Sequence, residues 1–266
     1  MSNLVERIST GIPEVDKMLA GGIPKGFLVA VVGEPGCGKT IFCLHFINEG
    51  IKREEKNIFV TTEESRESIV KQAIQFGFDF SGAVEKRILV IIDALMRPAE
   101  DEFTLASLDV EELVKKVIEV KRSMGYGHAR LVVDSLSAFW LDKPAMARRY
   151  SYFVKKVLSK WGFTTLVTSQ YAITTSEAFG FGIEHVADGI IRFRKAVRGG
   201  ILRRYMIIEK MRQTPHDRRM YEVDIVDGLG LVVKRPTMFR KEDISLPESV
   251  VRRIRESKKE REEELP

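Results

Sequence analysis

Cysteine is scarce in this chain, with only Cys37 and Cys43 among 266 residues. Six residues of helix would hold them about 9 Å apart along the axis. That is too far to bridge, and the pair has no metal-site spacing. A disulfide-stapled or zinc-organised fold is thereby excluded. No run of about 18 apolar residues occurs, so no membrane-spanning helix is expected. The stretch from Met1 to Arg7 lacks the basic-then-apolar pattern of a secretory leader. The expectation is therefore an intracellular, cytoplasmic protein. Internal repeats and low-complexity linkers are missing as well. What remains is 44% hydrophobic, enough for the core of one large α/β domain, alone or with appendages. Positive charge is in slight excess, at a formal net charge of +5. That balance permits an anionic partner such as nucleic acid without demanding one.

The stretch that organises the chain is Gly33-Glu34-Pro35-Gly36-Cys37-Gly38-Lys39-Thr40, a G-x-x-x-x-G-K-T phosphate loop. Before it, Phe27 to Val32 is apolar and β-branched, as a buried parallel strand requires. After it, Ile41 to Ile47 reads as a buried helix. Glycines let backbone N–H groups turn inward around phosphate oxygens, and the helix N-terminus adds partial positive charge at the same place. The spacing assigns nucleotide binding to Gly33, Glu34, Pro35, Gly36, Cys37, Gly38, Lys39, Thr40 and Ile41. Lys39 would reach the β- and γ-phosphates of ATP, and the Thr40 hydroxyl would hold Mg²⁺. Cys37 sits where a helix N-terminus lowers a thiol's pKa; the preference nonetheless falls on small-residue packing, with a redox switch as the alternative.

Along the chain, Ser9 to Pro13 predicts a capped start to a short helix reaching Leu19. Strands are expected at Asn57–Thr61, Ile88–Ile92, Leu131–Asp134 and Thr164–Ser169. Helices are expected at Ser65–Phe76, Asp109–Met124 and Ala145–Trp161, with a surface loop from Arg97 to Leu108. From Gly189 the pattern changes to strands: Gly189–Arg194, Ile201–Glu209 and Met220–Ile225, with turns at Gly199-Gly200 and Gly228-Leu229-Gly230. The expected architecture is α/β, a doubly wound core of mostly parallel sheet with antiparallel edge strands. The domain spans residues 1–236. A charged extension, residues 237–266, holds a helix candidate from Glu248 to Glu264.

Asp134 ends an apolar strand downstream of the phosphate loop. A carboxylate there holds Mg²⁺ directly or through water, or else caps the next turn. Glu63 and Glu64 end another strand, where a carboxylate could orient or deprotonate a water attacking the γ-phosphate. Two adjacent acids point different ways. The preference falls on Glu64 as base and Glu63 as helper, and a capping pair for the next helix is the alternative.

These motifs, with Ser9-Thr10-Gly11-Ile12, Asp16, Leu19, Gly21-Gly22-Ile23-Pro24, Asp134-Ser135-Leu136-Ser137-Ala138 and Lys210-Met211-Arg212-Gln213-Thr214-Pro215-His216, resemble the KaiC family within the RecA/RadA superfamily. The likeness runs from about Leu4 to Val233. It is similar to a single KaiC-type domain of the kind seen in archaeal RadA paralogues. The resemblance implies a RecA-like core that binds ATP between neighbouring subunits of a ring or filament. It implies that Lys210 and Arg212, with His216 nearby, reach the γ-phosphate of the next subunit, as an arginine finger does. A solvated basic strand edge is the alternative. It also implies a γ-phosphate-sensing role for Gln170, or a polar strand end.

Two partner classes follow from the resemblance. One is single-stranded DNA, in an accessory role in recombination or repair. The segments after Asp134 and after Gln170 match the two loops that line the DNA channel in RecA-like assemblies. Arg148 and Arg149 would contact phosphates, and Phe179 and Phe181 would stack on bases; packing in a subunit interface is the competing reading. The other class is a recombinase or signalling protein, with the chain acting as a regulatory ATPase. Glu184 and His185 stand where the family's phosphorylated domain carries a Ser-Thr pair, so autokinase activity of that kind is not expected. The small helical DNA-binding domain that precedes the RadA core has no counterpart in this sequence.

Overall fold

The central strands are apolar on both faces. Leu28, Ala30 and Val32 face one side of β3 (Leu28–Gly33), and Val29 and Val31 the other; each set enters a different buried cluster. This double burial is what a parallel sheet sandwiched between helices demands. The computed structural model describes residues 5–95, 102–141, 143–170 and 182–237. A short ribbon, β1 (Arg7–Ile8) and β2 (Ile23–Pro24), precedes β3. Then come β4 (Lys56–Thr61), β5 (Leu89–Asp93), β6 (Ala129–Asp134), β7 (Phe163–Gln170), β8 (Gly189–Arg198), β9 (Ile201–Met211), β10 (Met220–Val226) and β11 (Gly230–Thr237).

These form one nine-stranded sheet in the order β11-β10-β9-β8-β3-β7-β6-β4-β5. From β5 to β8 every pairing is parallel. From β8 outward to β11 every pairing is antiparallel. The RecA-like α/β expectation holds, parallel core and antiparallel edge included. β8 belongs to both regimes: it pairs in parallel with β3 and antiparallel with β9. The tight turn at Gly199-Gly200 has φ +58° and +75°, the left-handed conformation that a two-residue hairpin requires.

The helices are α1 (Pro13–Met18), α2 (Lys39–Lys52), α3 (Arg66–Gln75), α4 (Phe80–Glu85), α5 (Val110–Ser123), α6 (Ala147–Leu158) and α7 (Ile183–Val186). One layer packs α2, α3 and α4 on Val29, Val31, Phe59, Ile91 and Val132. The other packs α5 and α6 on Ala30, Val32, Val60, Val133 and Val167. Phosphate-loop, acid-pair and Asp134 positions all terminate parallel strands at one edge, where α/β sheets place their ligands.

Several expectations need correction. The start of α1 has no side-chain cap: Ile12 is the N-cap. Ser9 and Thr10 instead donate to the Asp16 carboxylate, at 2.5 and 2.7 Å, so the hydroxyls grip the first turn from outside it. The stretch expected as one helix from Ala145 to Trp161 is α6 flanked by two 3₁₀ turns, Pro144–Met146 and Ser159–Trp161, and ends at Gly162 with φ +70°. Part of the Arg97–Leu108 loop is not simple surface, because Leu105 is buried and Thr104 bridges to Asp93. The rest of it, 97–101, lies outside the described residues, as does the Glu248–Glu264 helix candidate. α4, α7 and β11 add to the elements expected.

One buried polar residue in the helix after the phosphate loop sets a pH dependence. His45 Nε2 accepts the Leu231 N–H at 2.9 Å, and its ring meets Phe78 edge-on at 4.9 Å. Burial lowers its pKa to about 4, with a backbone hydrogen bond to Gly11 acting the other way. The unfolded chain therefore takes up this proton first, near pH 6.5. The stabilisation is complete above that pH and is lost as pH falls through 4. Urea denaturation at pH 7 and pH 4 should show His45 accounting for a loss of roughly 3 kcal/mol. His45→Gln should remove that share of the difference; an unchanged pH slope in the variant would contradict it.

Candidate nucleotide-binding site

The phosphate loop leaves β3 at Gly33 and re-enters helix at Lys39. Gly33 has φ +154°, and an added Cβ would run into the Phe193 carbonyl of β8 and lie 3.0 Å from Cys37 Sγ. Gly38, the α2 N-cap, has φ +105°, with Leu231 beneath it. Both positions need glycine, one for space and both for the backbone turn. Cys37 and Lys39 are buried, Thr40 and Glu34 half-buried, and Pro35 and Gly36 exposed. Ile41 is buried at the first turn of α2.

Lys39 Nζ folds back on the loop, donating to the Gly33 and Glu34 carbonyls at 3.0 and 2.9 Å. Its ammonium thus stands inside the curve of the loop. Cys37 departs from the expectation of a lowered thiol pKa. Burial raises it, and the Lys39 charge beside it only partly offsets that. Desolvation here outweighs the helix N-terminus, so the residue is packing rather than a reactive thiol.

Asp134 joins the two halves of the site. Its Oδ2 accepts the Thr40 hydroxyl at 2.7 Å, and its Oδ1 accepts the hydroxyl of Thr168 from β7. Burial pushes the Asp134 pKa up; the Thr168 and Thr40 hydrogen bonds pull it down, the Glu63 charge pushes it up and the Lys39 charge lowers it. Thr168 was absent from the sequence reading. Its place near the C-terminal end of an expected strand was the available signal.

The acid pair separates. Ser135 Oγ donates to Glu63 Oε1 at 2.9 Å and lies 3.0 Å from the Ser137 hydroxyl. Thr62 and Ser135 stitch the two strand ends together, with Ser135 N–H donating to Thr62 Oγ1 at 2.9 Å. Glu64 turns away: its Oε2 accepts the Ser68 hydroxyl at 2.6 Å, in the first turn of α3 that Ser65 caps. Glu63, not the preferred Glu64, is the acid brought beside Asp134.

Two further cations touch the loop from the edge hairpin. Lys195 Nζ donates to the Pro35 carbonyl at 2.9 Å, and Arg204 Nε to the Gly36 carbonyl at 3.1 Å. Sequence reasoning missed both, since no motif marks them.

Lys210 and Arg212 lie elsewhere. They flank Met211, which pairs with Gly189, which pairs with Val29 at the start of β3. From Val29 to Gly33 is about 13 Å of strand. Arg212 Nη1 donates to Asp188 Oδ1 at 3.1 Å, and Asp188 also accepts Lys155 and the Leu28 N–H. Lys210 Nζ donates to the Ala187 carbonyl at 2.7 Å. His216 Nδ1 is 3.2 Å from the Thr214 carbonyl on the adjoining loop. All three stand at the opposite end of the sheet from their own phosphate loop. Gln170 ends β7 beside Gly33. Arg148 and Arg149 are exposed on the first turn of α6. Phe179 and Phe181 lie outside the described residues.

The donor set suits Mg²⁺ with a nucleotide: one carboxylate and one hydroxyl, both hard oxygens, leaving room for phosphate and water ligands. Among the described residues no cluster of three or more His, Cys, Asp or Glu forms an all-protein metal cage.

A family model described as "ATPase: KaiC" matches residues 8–238. The UPF0273 protein PH0284 of Pyrococcus horikoshii is 36% identical over 234 residues, which is 86% of this chain and 94% of that protein. The UPF0273 protein MK0039 of Methanopyrus kandleri is 36% identical over 244 residues, covering 90% and 96% respectively. Among solved structures, the KaiC-like protein PH0186 of Pyrococcus horikoshii superposes with a TM-score of 0.74 at 28% identity. That match covers 87% of this chain and all of the other.

Proposed function

The chain belongs to the KaiC family of ATPases, and from that premise we propose that it binds Mg-ATP at the Gly33–Thr40 loop and hydrolyses it at an interface between subunits. The observation that carries this reading is the separation just described: phosphate loop, Asp134 and Glu63 at one edge, Lys210 and Arg212 at the other. A head-to-tail assembly joins the two edges and generates a ring or a filament.

In this reading Lys39 exchanges its bonds to the Gly33 and Glu34 carbonyls for phosphate oxygens. Thr40 and Asp134 hold Mg²⁺, which when bound offsets phosphate charge. Glu63, oriented by Ser135, accepts a proton from the attacking water. Arg212, released from Asp188, supplies charge to a neighbour's γ-phosphate. The finer role we propose is a single-stranded-DNA-binding accessory of recombination or repair. The exposed Arg148 and Arg149 and the basic balance support it.

The test is the dependence of specific ATPase activity on protein concentration. If neighbours complete the site, activity per subunit rises with concentration and then levels as assembly saturates. Activity that stays constant down to a demonstrated monomer contradicts the proposal.

A further inference from the structure

At the sheet edge remote from the phosphate loop, a cavity of about 650 Å³ opens between the end of α5 and the 3₁₀ turn Ser159–Trp161, lined by Lys121, Arg122, Tyr126, Lys160 and Trp161. Three of these are cations and two are aromatic, and no carboxylate is among the described residues that line it. The Arg122 guanidinium stacks 4.9 Å above the Trp161 ring.

The loop that carries Tyr126 is clamped on both sides. Lys121 Nζ donates to the Gly125 carbonyl at 2.9 Å, and Lys56 Nζ donates to the Tyr126 carbonyl. Gly125 and Gly127, at φ +89° and +96°, set the turn. This firmly held loop leaves Tyr126 99% exposed. Favourable charge at a helix C-terminus accounts for Lys121 and Arg122 near the end of α5. The same preference covers Lys160 in the last turn of the facing helical segment, but it does not account for a fully exposed aromatic on a backbone held next to them.

We infer that this cavity is a second anion site that binds a phosphate-bearing ligand with a flat ring, a nucleotide either free or within a single strand. Phosphate would sit between Arg122 and Lys160, with the buried Lys121 holding the loop behind them, and a base would stack on Tyr126, in the pairing of cationic groove and aromatic platform that single strands favour. The cavity's size is that of a small-ligand site. It stands a full strand length from Asp134, because β6 begins at Ala129 beside it and ends at Asp134. Occupancy here is therefore separable from occupancy of the phosphate loop.

Trp161 provides the readout, since the other tryptophan, Trp140, is buried. The full chain carrying Lys39→Ala, which silences the phosphate loop, is titrated with oligothymidylate and separately with thymidine monophosphate while tryptophan emission is followed. The expected result is a saturable quench that is lost in Trp161→Phe. Tyr126→Ala should weaken it about tenfold, and its fully exposed position leaves folding intact. Arg122→Gln with Lys160→Gln should flatten the salt dependence by about one to two in slope. Quenching by the oligomer alone assigns a strand, and quenching by both assigns a nucleotide site. No quench with either ligand overturns the inference. So does oligomer binding that depends on Arg148 and Arg149 but not on Tyr126, an outcome that would place DNA at the segment proposed above instead.

Discussion

Lys39→Ala should abolish ATP hydrolysis while the protein still folds. The side chain is buried, and its ammonium bonds within its own loop, to the Gly33 and Glu34 carbonyls and, at 4.0 Å, to Cys37 Sγ. Removing it forfeits those hydrogen bonds, about 1–3 kcal/mol of stability at most. It also deletes the cation proposed to meet the β- and γ-phosphates, in a loop whose outer residues alone are exposed. A preorganised charge of this kind is worth ~10³-fold or more in rate. Steady-state hydrolysis, with circular dichroism to check the fold, decides the matter. Turnover within tenfold of the wild type would reject the phosphate-loop assignment.

The second large effect separates the two adjacent acids. Glu63→Gln should lower kcat by ~10²–10⁴-fold, the usual worth of a general base, and change nucleotide affinity by less than about tenfold. The amide keeps the size and still accepts the Ser135 hydroxyl, but it cannot take a proton. Glu64→Gln should change kcat far less. Its carboxylate is engaged with Ser68 at the start of α3, so the loss appears as stability, about 1 kcal/mol. Single-turnover kinetics on both variants tests this, and a collapse of kcat in Glu64→Gln with Glu63→Gln near wild type would reverse the roles.

That pair also shows where the sequence stops being informative. Strand, glycine-rich turn and helix around Gly33–Thr40 were legible because three local signals agree on one geometry. The doubly wound core was legible because β3 is apolar throughout and β4, β6 and β7 each carry a short apolar, β-branched run at their centre. Whether Glu63 or Glu64 faces Asp134 is not local: it depends on Ser65 capping α3, which turns Glu64 to Ser68, and on Ser135 arriving from β6. Thr168 reaches Asp134 only through the adjacency of β6 and β7. At Cys37 the helix end is visible in sequence, whereas the burial that raises its thiol pKa is not. α4 and α7, of 6 and 4 residues, are too short for a helical period to register. Lys195 and Arg204 meet the loop because β8 lies against β3, a pairing between segments some 160 residues apart in the chain.

The central claim is that a neighbouring subunit completes the site. The measurement closest to it mixes two inactive proteins, one carrying Lys39→Ala and the other Arg212→Ala. In a head-to-tail assembly each mixed interface of one orientation joins an intact phosphate loop to an intact Arg212, roughly a quarter of interfaces at equal random mixing. The account predicts that ATPase activity reappears on mixing and approaches that fraction of the wild-type rate. Failure to recover any activity, when the two proteins demonstrably co-assemble, would contradict it.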